Sequence, residues 1–125
     1  MIRGIRGATT VEHDDGQEIL NHTKELLLEM ADRNRLDPEN ISSICFTLTP
    51  DLHATFPAEA ARLIGWRYVP VICMRELDVP HGLAMTIRVL MHAEMAGSQA
   101  SVTHVYRERA TVLREDLLRE DGAAG

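Results

Sequence analysis

The sequence predicts an α+β fold or a small mixed barrel, because two amphipathic helices are interspersed with about five strand-like segments. The clearest helical pattern covers residues 17–34, and the clearest strand pattern covers residues 84–95. A chain of 125 residues has the length of one domain, so residues 1–125 are predicted to form a single unit. The core of so short a chain is modest, and exposed strand edges would favour oligomers.

The first half of the chain contains two predicted strands and the main helix. Residues 2–8 are predicted to form a short strand. Residues 17–34 form the helix, because apolar side chains recur there at helical spacing and Asp14 and Asp15 lie near its positive end. Residues 41–49 alternate as a strand. Its two faces are Ile44, Phe46 and Leu48 on one side, and Ser43, Cys45, Thr47 and Thr49 on the other.

A short helix and a strand follow in the middle of the chain. Pro57 suits the first position of the helix, and Gly65 suits its end. Residues 68–74 are predicted to form a strand. Pro70 lacks the N–H that a central strand would use, so this strand is expected to begin there or to lie at an edge.

The last segments are two predicted strands and a polar tail. In residues 84–95 one face is apolar, while Thr86 and Arg88 belong to the polar face. Residues 102–113 are predicted to form the last strand, with Tyr106 near its start. The composition of the tail, residues 115–125, is typical of a disordered end.

Composition excludes several classes of function. The net charge is 13 − 19 = −6, which argues against nucleic acid as the main partner. No stretch approaches the roughly 20 apolar residues of a membrane span, so no membrane association is predicted. No apolar segment follows Met1 as in a signal peptide, and a cytoplasmic location is expected. Cys45 and Cys73 are expected to be reduced thiols.

The sequence carries no motif for metal, phosphate or covalent chemistry. Phosphate-binding glycine loops and the G-x-S-x-G nucleophile motif are absent from it. The six histidines are scattered, so no metal site is predicted. Twelve of the thirteen bases are arginines, whose planar donors fit carboxylates and phosphates. Composition alone is equally consistent with solvated surface arginines.

A series of ordered blocks resembles one known family, the small monofunctional chorismate mutases of the AroH class. The first block is Ile2-Arg3-Gly4-Ile5-Arg6-Gly7-Ala8-Thr9-Thr10-Val11-Glu12. The others are Thr49-Pro50-Asp51-Leu52-His53-Ala54, Phe56-Pro57-Ala58, Gly65-Trp66 with Tyr68-Val69-Pro70-Val71, Cys73-Met74 with Glu76, Ile87-Arg88-Val89, His104-Val105-Tyr106 and Val112-Leu113-Arg114. Each block alone is weak, but together they cover the chain in order with near-constant spacing.

The resemblance implies a homotrimer with a pseudo-α/β-barrel core and three active sites in clefts between subunits. The implied reaction converts chorismate, a dianion, to prephenate in phenylalanine and tyrosine biosynthesis, and the implied enzyme uses no cofactor. Arg88 would donate to the ether oxygen of the substrate. Arg6 and Tyr106 would hold a carboxylate. Glu76 would accept from the ring hydroxyl, with Cys73 beside it.

Four further residues carry over to the edges of the implied site. Phe56 and Arg62 would line the cleft, and Leu113 and Arg114 would lie at its mouth. In one unbroken strand, however, Tyr106 and Arg114 would be about 26 Å apart at roughly 3.3 Å per residue. A bend, or a contribution from two subunits, is therefore required.

Two positions depart from the family's pattern. Glu59 stands where many relatives have lysine, so a supplementary positive charge is replaced by a negative one. Glu115 replaces the proline that usually follows the matched Arg114. Both departures concern the periphery of the implied site rather than its centre.

Without the resemblance, the same residues have ordinary interpretations. Arg88 would be an ion-pair partner on a polar strand face, Glu76 a solvated loop carboxylate, Tyr106 a strand aromatic and Cys73 a core thiol. Two other functions stay open at this point. One is a different small trimeric enzyme, such as an enamine or imine deaminase, and the other is a non-catalytic module that binds an aromatic-pathway metabolite.

Overall fold

The structure, a computed structural model, describes residues 1–113 of the chain. Its strands and α-helices, in chain order, are β1 (Ile2–Thr10), α1 (Gly16–Arg33), β2 (Ile41–Leu48), α2 (Glu59–Leu63), β3 (Val71–Arg75), β4 (Thr86–Glu94) and β5 (Val105–Tyr106). Short 3₁₀ helices at Pro38–Asn40, Gln99–Ser101 and Glu108–Ala110 connect them. The predicted Arg114 and the predicted disordered tail lie outside the described residues.

The five strands form one mixed sheet in the order β3-β2-β4-β1-β5. The long strand β4 lies in the middle and is antiparallel to both β1 and β2. The edge strands β3 and β5 are parallel to β2 and β1, respectively. The predicted α+β class is confirmed. The strand predicted over residues 68–74 begins only at Val71, directly after Pro70, and lies at an edge of the sheet, as expected from the proline.

Helix α1 covers one face of the sheet and forms most of the core with it. The Asp15 side chain begins the helix by accepting from the Glu18 backbone N–H at 3.0 Å. The helix buries Ile19, Thr23, Leu26, Leu27, Met30 and Ala31. On the sheet, Ile5, Ile44, Phe46, Val89 and Met91 pack in the same core. Burial of each large apolar side chain contributes about 1.5–3 kcal/mol relative to leaving it in water.

Gly7 allows the helix to approach the sheet closely at the centre of β1. A Cβ at this position would overlap the Sδ atom of Met30 and would lie 3.2 Å from Leu26 Cδ1. Both methionine and leucine are fully buried, so neither has free space to move into. A side chain at position 7 would therefore push α1 away from the face opposite the candidate site.

The prediction of one strand over residues 102–113 is wrong, because the strand there consists only of Val105–Tyr106. After Tyr106 the Arg107 N–H still donates to Ala8 O at 2.9 Å. Glu108 then takes a left-handed backbone conformation, with φ of 53°, and a 3₁₀ helix begins there. The Arg107 side chain forms ion pairs with Glu25 and Glu29 on α1, which fixes the chain at this turn.

The other face of the sheet is not covered by a helix within the described chain. Apolar side chains are exposed there, among them Leu90 on β4 and Met74 on β3. Among residues 1–113, no helix is both long and apolar enough to cross a bilayer.

Candidate active site

A cleft into which several charged side chains converge lies on this uncovered face of the sheet. It has a volume of about 490 Å³, within the usual range for small-molecule sites. Strands β1, β2, β4 and β5 supply most of its floor. The lining residues are Arg6, Gly7, Ala8, Cys45, Thr47, Met74, Glu76, Arg88, Val89, Leu90, Tyr106 and Leu113. Five of the predicted site residues, Arg6, Glu76, Arg88, Tyr106 and Leu113, therefore share one cleft.

Arg88 projects into the cleft from the middle of the sheet, where it is flanked by Thr47 on β2 and Ala8 on β1. Its Nε atom lies 3.4 Å from Glu76 Oε2. That distance allows charge attraction, but the geometry is not that of a hydrogen bond, and the buried Nε has no hydrogen-bond partner within residues 1–113. The Arg88 side chain as a whole is 40% exposed, so other donors of its guanidinium are open to a ligand in the cleft.

Glu76 is held against the floor of the cleft by two contacts. Its backbone N–H donates to Leu48 O at 2.8 Å, which extends the pairing of β3 with β2 by one residue. Its carboxylate accepts a short hydrogen bond from the Thr47 hydroxyl. The Glu76 side chain is 22% exposed, so its negative charge faces both Arg88 and the open cleft.

Arg6 and Tyr106 meet at the opposite side of Arg88, because β1 lies between β4 and β5. Tyr106 is aligned with Ala8, two residues after Arg6 on the same face of β1. Burial raises the pKa of the Tyr106 hydroxyl above its usual value, and the positive charges of Arg6 and Arg88 partly oppose that rise. At neutral pH the hydroxyl is thus a donor, between two cationic side chains.

The bend after Tyr106 returns the chain to the same cleft. Leu113 lines the cleft together with Tyr106, although it comes seven positions later in the chain. A straight strand would have carried Leu113 about 23 Å away at roughly 3.3 Å per residue. The bend therefore brings Leu113 to the cleft within one subunit, while Arg114, for which a bend or a second subunit was predicted to be required, lies outside the described residues.

Phe56, Arg62 and Cys73 do not reach this cleft. They line a second cavity of about 400 Å³ between α2 and the edge strand β3, together with Glu59. Cys73 is aligned with the buried Phe46, and its side chain packs against the core on the α1 side of the sheet. Burial raises the pKa of the Cys73 thiol, while a hydrogen bond with the Ala58 backbone opposes the rise. Within one subunit Cys73 is thus not beside Glu76 in the cleft.

Glu59 has a direct effect on one of the predicted site residues. Its Oε1 lies 2.8 Å from Arg62 Nη2, one turn later in the chain. The Arg62 side chain is 68% exposed and Phe56 is 73% exposed, so both project away from their own subunit. The Phe56 ring and the Arg62 guanidinium, whose charge Glu59 partly neutralises, are thus exposed at the surface of the second cavity.

Comparison with known proteins agrees with this geometry. The family model described as chorismate mutase type I matches residues 2–117. The chain belongs to this family. It is 52% identical over 118 residues to chorismate mutase AroH of Bacillus subtilis (strain 168), covering 94% of this chain and 93% of the relative. It is 47% identical over 118 residues to chorismate mutase AroH of Thermus thermophilus, covering 94% of this chain and 97% of the relative.

A solved structure supports the same relationship at the level of the fold. The chorismate mutase from Clostridium thermocellum superposes with a TM-score of 0.86 at 47% sequence identity. The match covers 87% of this chain and 97% of that one. The predicted membership of the chorismate mutase family and the prediction of an enzyme are both confirmed.

Thr47 lines the candidate site, but it was not among the site residues predicted from the sequence. It touches Glu76 and lines the cleft beside Arg88. The alternation of residues 41–49 already placed Thr47 and Cys45 on one face. What the sequence lacked was the pairing of that face with Arg88, which depends on strand order.

Proposed function

We propose that this chain catalyses the rearrangement of chorismate to prephenate in the cleft formed by β1, β2, β4 and β5. The observation that carries the proposal is the position of Arg88. The Arg88 side chain is 40% exposed in the cleft. It lies between Arg6 and Tyr106 on one side and Glu76 on the other. Such a cleft suits a compact substrate that carries two carboxylates and a hydroxyl group.

Arg88 is proposed to act on the bond that breaks. The reaction is intramolecular and pericyclic, so no proton transfer or covalent intermediate is required of the protein. As the C–O bond breaks, the ether oxygen gains negative character, and a fixed guanidinium then binds the transition state more strongly than the substrate. Arg88 is held on the central strand, so little rearrangement is needed when that charge develops.

Arg6 and Tyr106 are proposed to hold the reactive shape of the substrate. A guanidinium and a protonated hydroxyl can bind one carboxylate together. Chorismate must adopt a compact, chair-like conformation to react, and fixing a carboxylate reduces the entropic part of the barrier. A rate enhancement on the order of 10⁶ needs about 8 kcal/mol, which a few such contacts can supply.

Glu76 is proposed to accept a hydrogen bond from the ring hydroxyl. The Thr47 hydroxyl already occupies one oxygen of the carboxylate, which fixes its orientation. Positive character develops on the ring side as the ether bond breaks, and a carboxylate there would stabilise it. Glu76 Oε2 lies 3.4 Å from Arg88 Nε, so both charged groups border the same part of the cleft.

We further propose that the working enzyme is a homotrimer with each site shared between two subunits. Phe56, Arg62 and Cys73 line a cavity that is separate from the main cleft of the same subunit. They could contribute to a complete site only if the second cavity of one subunit packs against the main cleft of another. Supporting this, Phe56 and Arg62 are exposed, and β3 is an unprotected sheet edge. Arg114, which lies outside the described residues, is proposed to provide a further cation for the substrate.

The proposed location and pathway follow from the substrate. Chorismate is consumed in phenylalanine and tyrosine biosynthesis, which we place in the cytoplasm. In support of that compartment, Cys45 and Cys73 are free and lie on opposite faces of the sheet. The proposed catalysis uses the chain's own side chains, without a cofactor.

The decisive experiment is the loss of chorismate ultraviolet absorbance with purified protein and no added metal or cofactor. Prephenate formation at a rate proportional to enzyme concentration would support the proposal. Saturable binding of chorismate without consumption would replace it with a metabolite-binding module. Release of ammonia from an imino acid, with chorismate unchanged, would point instead to a deaminase.

A further inference from the structure

His104, immediately before β5, makes a hydrogen bond that reaches the strand carrying Arg6. The Arg6 backbone N–H donates to His104 Nδ1 at 2.9 Å. In the described chain the aligned residues of β1 and β5 are Gly7 with Val105 and Ala8 with Tyr106. The imidazole thus takes the place of a backbone carbonyl and extends the pairing of these strands to Arg6.

The hydrogen bond defines where the ring proton lies. Since the Arg6 N–H can only donate, Nδ1 must accept, and the proton of the neutral ring lies on Nε2. A doubly protonated ring has no acceptor and would face the Arg6 N–H with a donor. The hydrogen bond therefore exists only while His104 is uncharged.

The segment before His104 is fixed independently by helix α1. The Thr103 N–H donates to Asn34 Oδ1 at 2.9 Å, and Asn34 Nδ2 donates to Thr103 O at 2.9 Å. After Tyr106, the Arg107 N–H donates to Ala8 O. Residues 103–107 are therefore held at both ends. Because this segment is fixed, the hydrogen bond from the Arg6 N–H to the His104 ring also fixes the backbone at Arg6.

The surroundings of His104 keep the ring neutral. Burial lowers the pKa of His104 below its ordinary value, and the positive charge of Arg6 lowers it further. The contact with α1 next to His104 in the chain is made by Thr103, and its partner there is the neutral amide of Asn34. None of the ion pairs within residues 1–113 involves His104.

We propose that His104 is a positioning residue, whose unprotonated Nδ1 fixes the backbone of Arg6 so that its guanidinium meets the substrate carboxylate. This inference rests on the proposed function, because it assigns the role through Arg6. The backbone of β1 sets the direction in which the Arg6 side chain leaves the sheet. Loss of the hydrogen bond would loosen that direction without removing any group that touches the substrate.

Two variants separate the acceptor from the bulk of the ring. His104→Phe keeps a planar side chain of similar size but has no acceptor. His104→Asn is smaller but offers Oδ1 near the position of Nδ1. We expect His104→Phe to raise KM for chorismate by roughly tenfold, the effect of losing one hydrogen bond at a binding group, with a smaller change in kcat. We expect His104→Asn to restore KM to within about threefold of the unmodified enzyme.

The pH dependence of KM provides a second readout. Because the pKa of His104 is held below the ordinary histidine value of about 6.5, KM of the unmodified enzyme is expected to rise only at pH values below that ordinary pKa. His104→Asn should lose that acidic rise. Nitrogen NMR of the imidazole should show a protonated Nε2 and an unprotonated Nδ1 at neutral pH.

Three results would overturn the inference while leaving the proposed function intact. They are a His104→Phe enzyme with unchanged KM and kcat, equal impairment of the Phe and Asn variants, or an Nδ1-protonated ring in an enzyme that turns over chorismate. Thermal unfolding of each variant identifies loss of folding as a separate cause, and His104→Asn with the NMR measurement then decides. If the unmodified protein does not consume chorismate, the proposed function fails and the role assigned to His104 fails with it.

Discussion

Arg62 and Glu59 form an ion pair within α2, with Arg62 Nη2 2.8 Å from Glu59 Oε1. The family resemblance led us to expect a lysine at position 59. This chain has a glutamate there instead, and it pairs with Arg62. A substrate dianion approaching the second cavity would therefore meet Arg62 with part of its charge already neutralised. Coulomb attraction at such an exposed position is modest and screened by salt.

Glu59→Lys is expected to lower KM for chorismate by up to about fivefold, since exposed charge interactions contribute roughly 0.2–1 kcal/mol. The kcat value should change little, because Glu59 touches none of the residues proposed to act on the breaking bond. Steady-state kinetics at low and high salt measure the effect, which should shrink as salt rises. Glu39→Lys, a charge reversal in the 3₁₀ helix at Pro38–Asn40, is the matched control. An unchanged or higher KM for Glu59→Lys at low salt would contradict this account of the second cavity.

Arg88→Ala is expected to reduce kcat by at least about 10²–10³-fold, the usual effect of losing one preorganised donor to a developing charge. The oligomeric state should be unchanged, because Arg88 faces a cleft rather than the core. Stopped-time assays of prephenate and gel filtration measure the two properties together. Arg33→Ala on the exposed surface of α1 should retain full activity. An Arg88→Ala enzyme with near-normal kcat would disprove the assigned mechanism.

Thr47→Val removes the hydroxyl that donates to Glu76 while keeping the branched shape of the side chain. Since the carboxylate is then free to turn toward Arg88, we expect kcat/KM to fall by roughly tenfold. Thr47→Ser keeps the hydroxyl and should stay within about threefold of the unmodified enzyme. Equal activity of the Val and Ser variants would show that Glu76 does not need this hydrogen bond.

Asp14 is expected to make folding stability depend on pH in acid. The backbone N–H of His53 is the main cause that holds the pKa of Asp14 below its usual value. Burial opposes the shift, and the Ala54 N–H adds to it. A carboxyl whose pKa is lower in the folded state stabilises the fold above its ordinary pKa, and that contribution is lost as pH falls below about 4.

Asp14→Asn should therefore lose less stability than the unmodified protein between about pH 6 and about pH 3. Urea unfolding at a fixed protein concentration measures the difference, and fixed concentration removes any effect of subunit association. Asp32→Asn, which removes one exposed acid from α1, controls for the change in net charge. If Asp14→Asn and the unmodified protein show the same pH dependence, the hydrogen bonds to the segment at His53 do not have this role.

The faces of individual strands were predictable because side chains alternate along extended backbone. Alternation in residues 84–95 correctly separated Arg88 from the apolar side chains that pack under α1. The helix of residues 17–34 was predictable from its apolar spacing, and its observed bounds, Gly16–Arg33, agree within one residue. These features depend on local sequence only.

Strand order and the last turn were not predictable in this way. Arg6, Arg88 and Tyr106 come together because β1 lies between β4 and β5, and no local pattern specifies that order. Only the family resemblance indicated that these residues share a site. The turn after Tyr106 depends on a left-handed Glu108, and glutamate carries none of the signals that glycine or asparagine would give.

The separation of the predicted site residues into two cavities has a genetic consequence under the proposed assembly. Subunits with Arg88→Ala keep a sound second cavity, and subunits with Arg62→Ala keep a sound main cleft. When two such defective populations are unfolded together and reassembled at random, about one quarter of the shared sites would combine two sound halves. Two defective alleles would then partly complement each other, which would not happen if each subunit held a whole site.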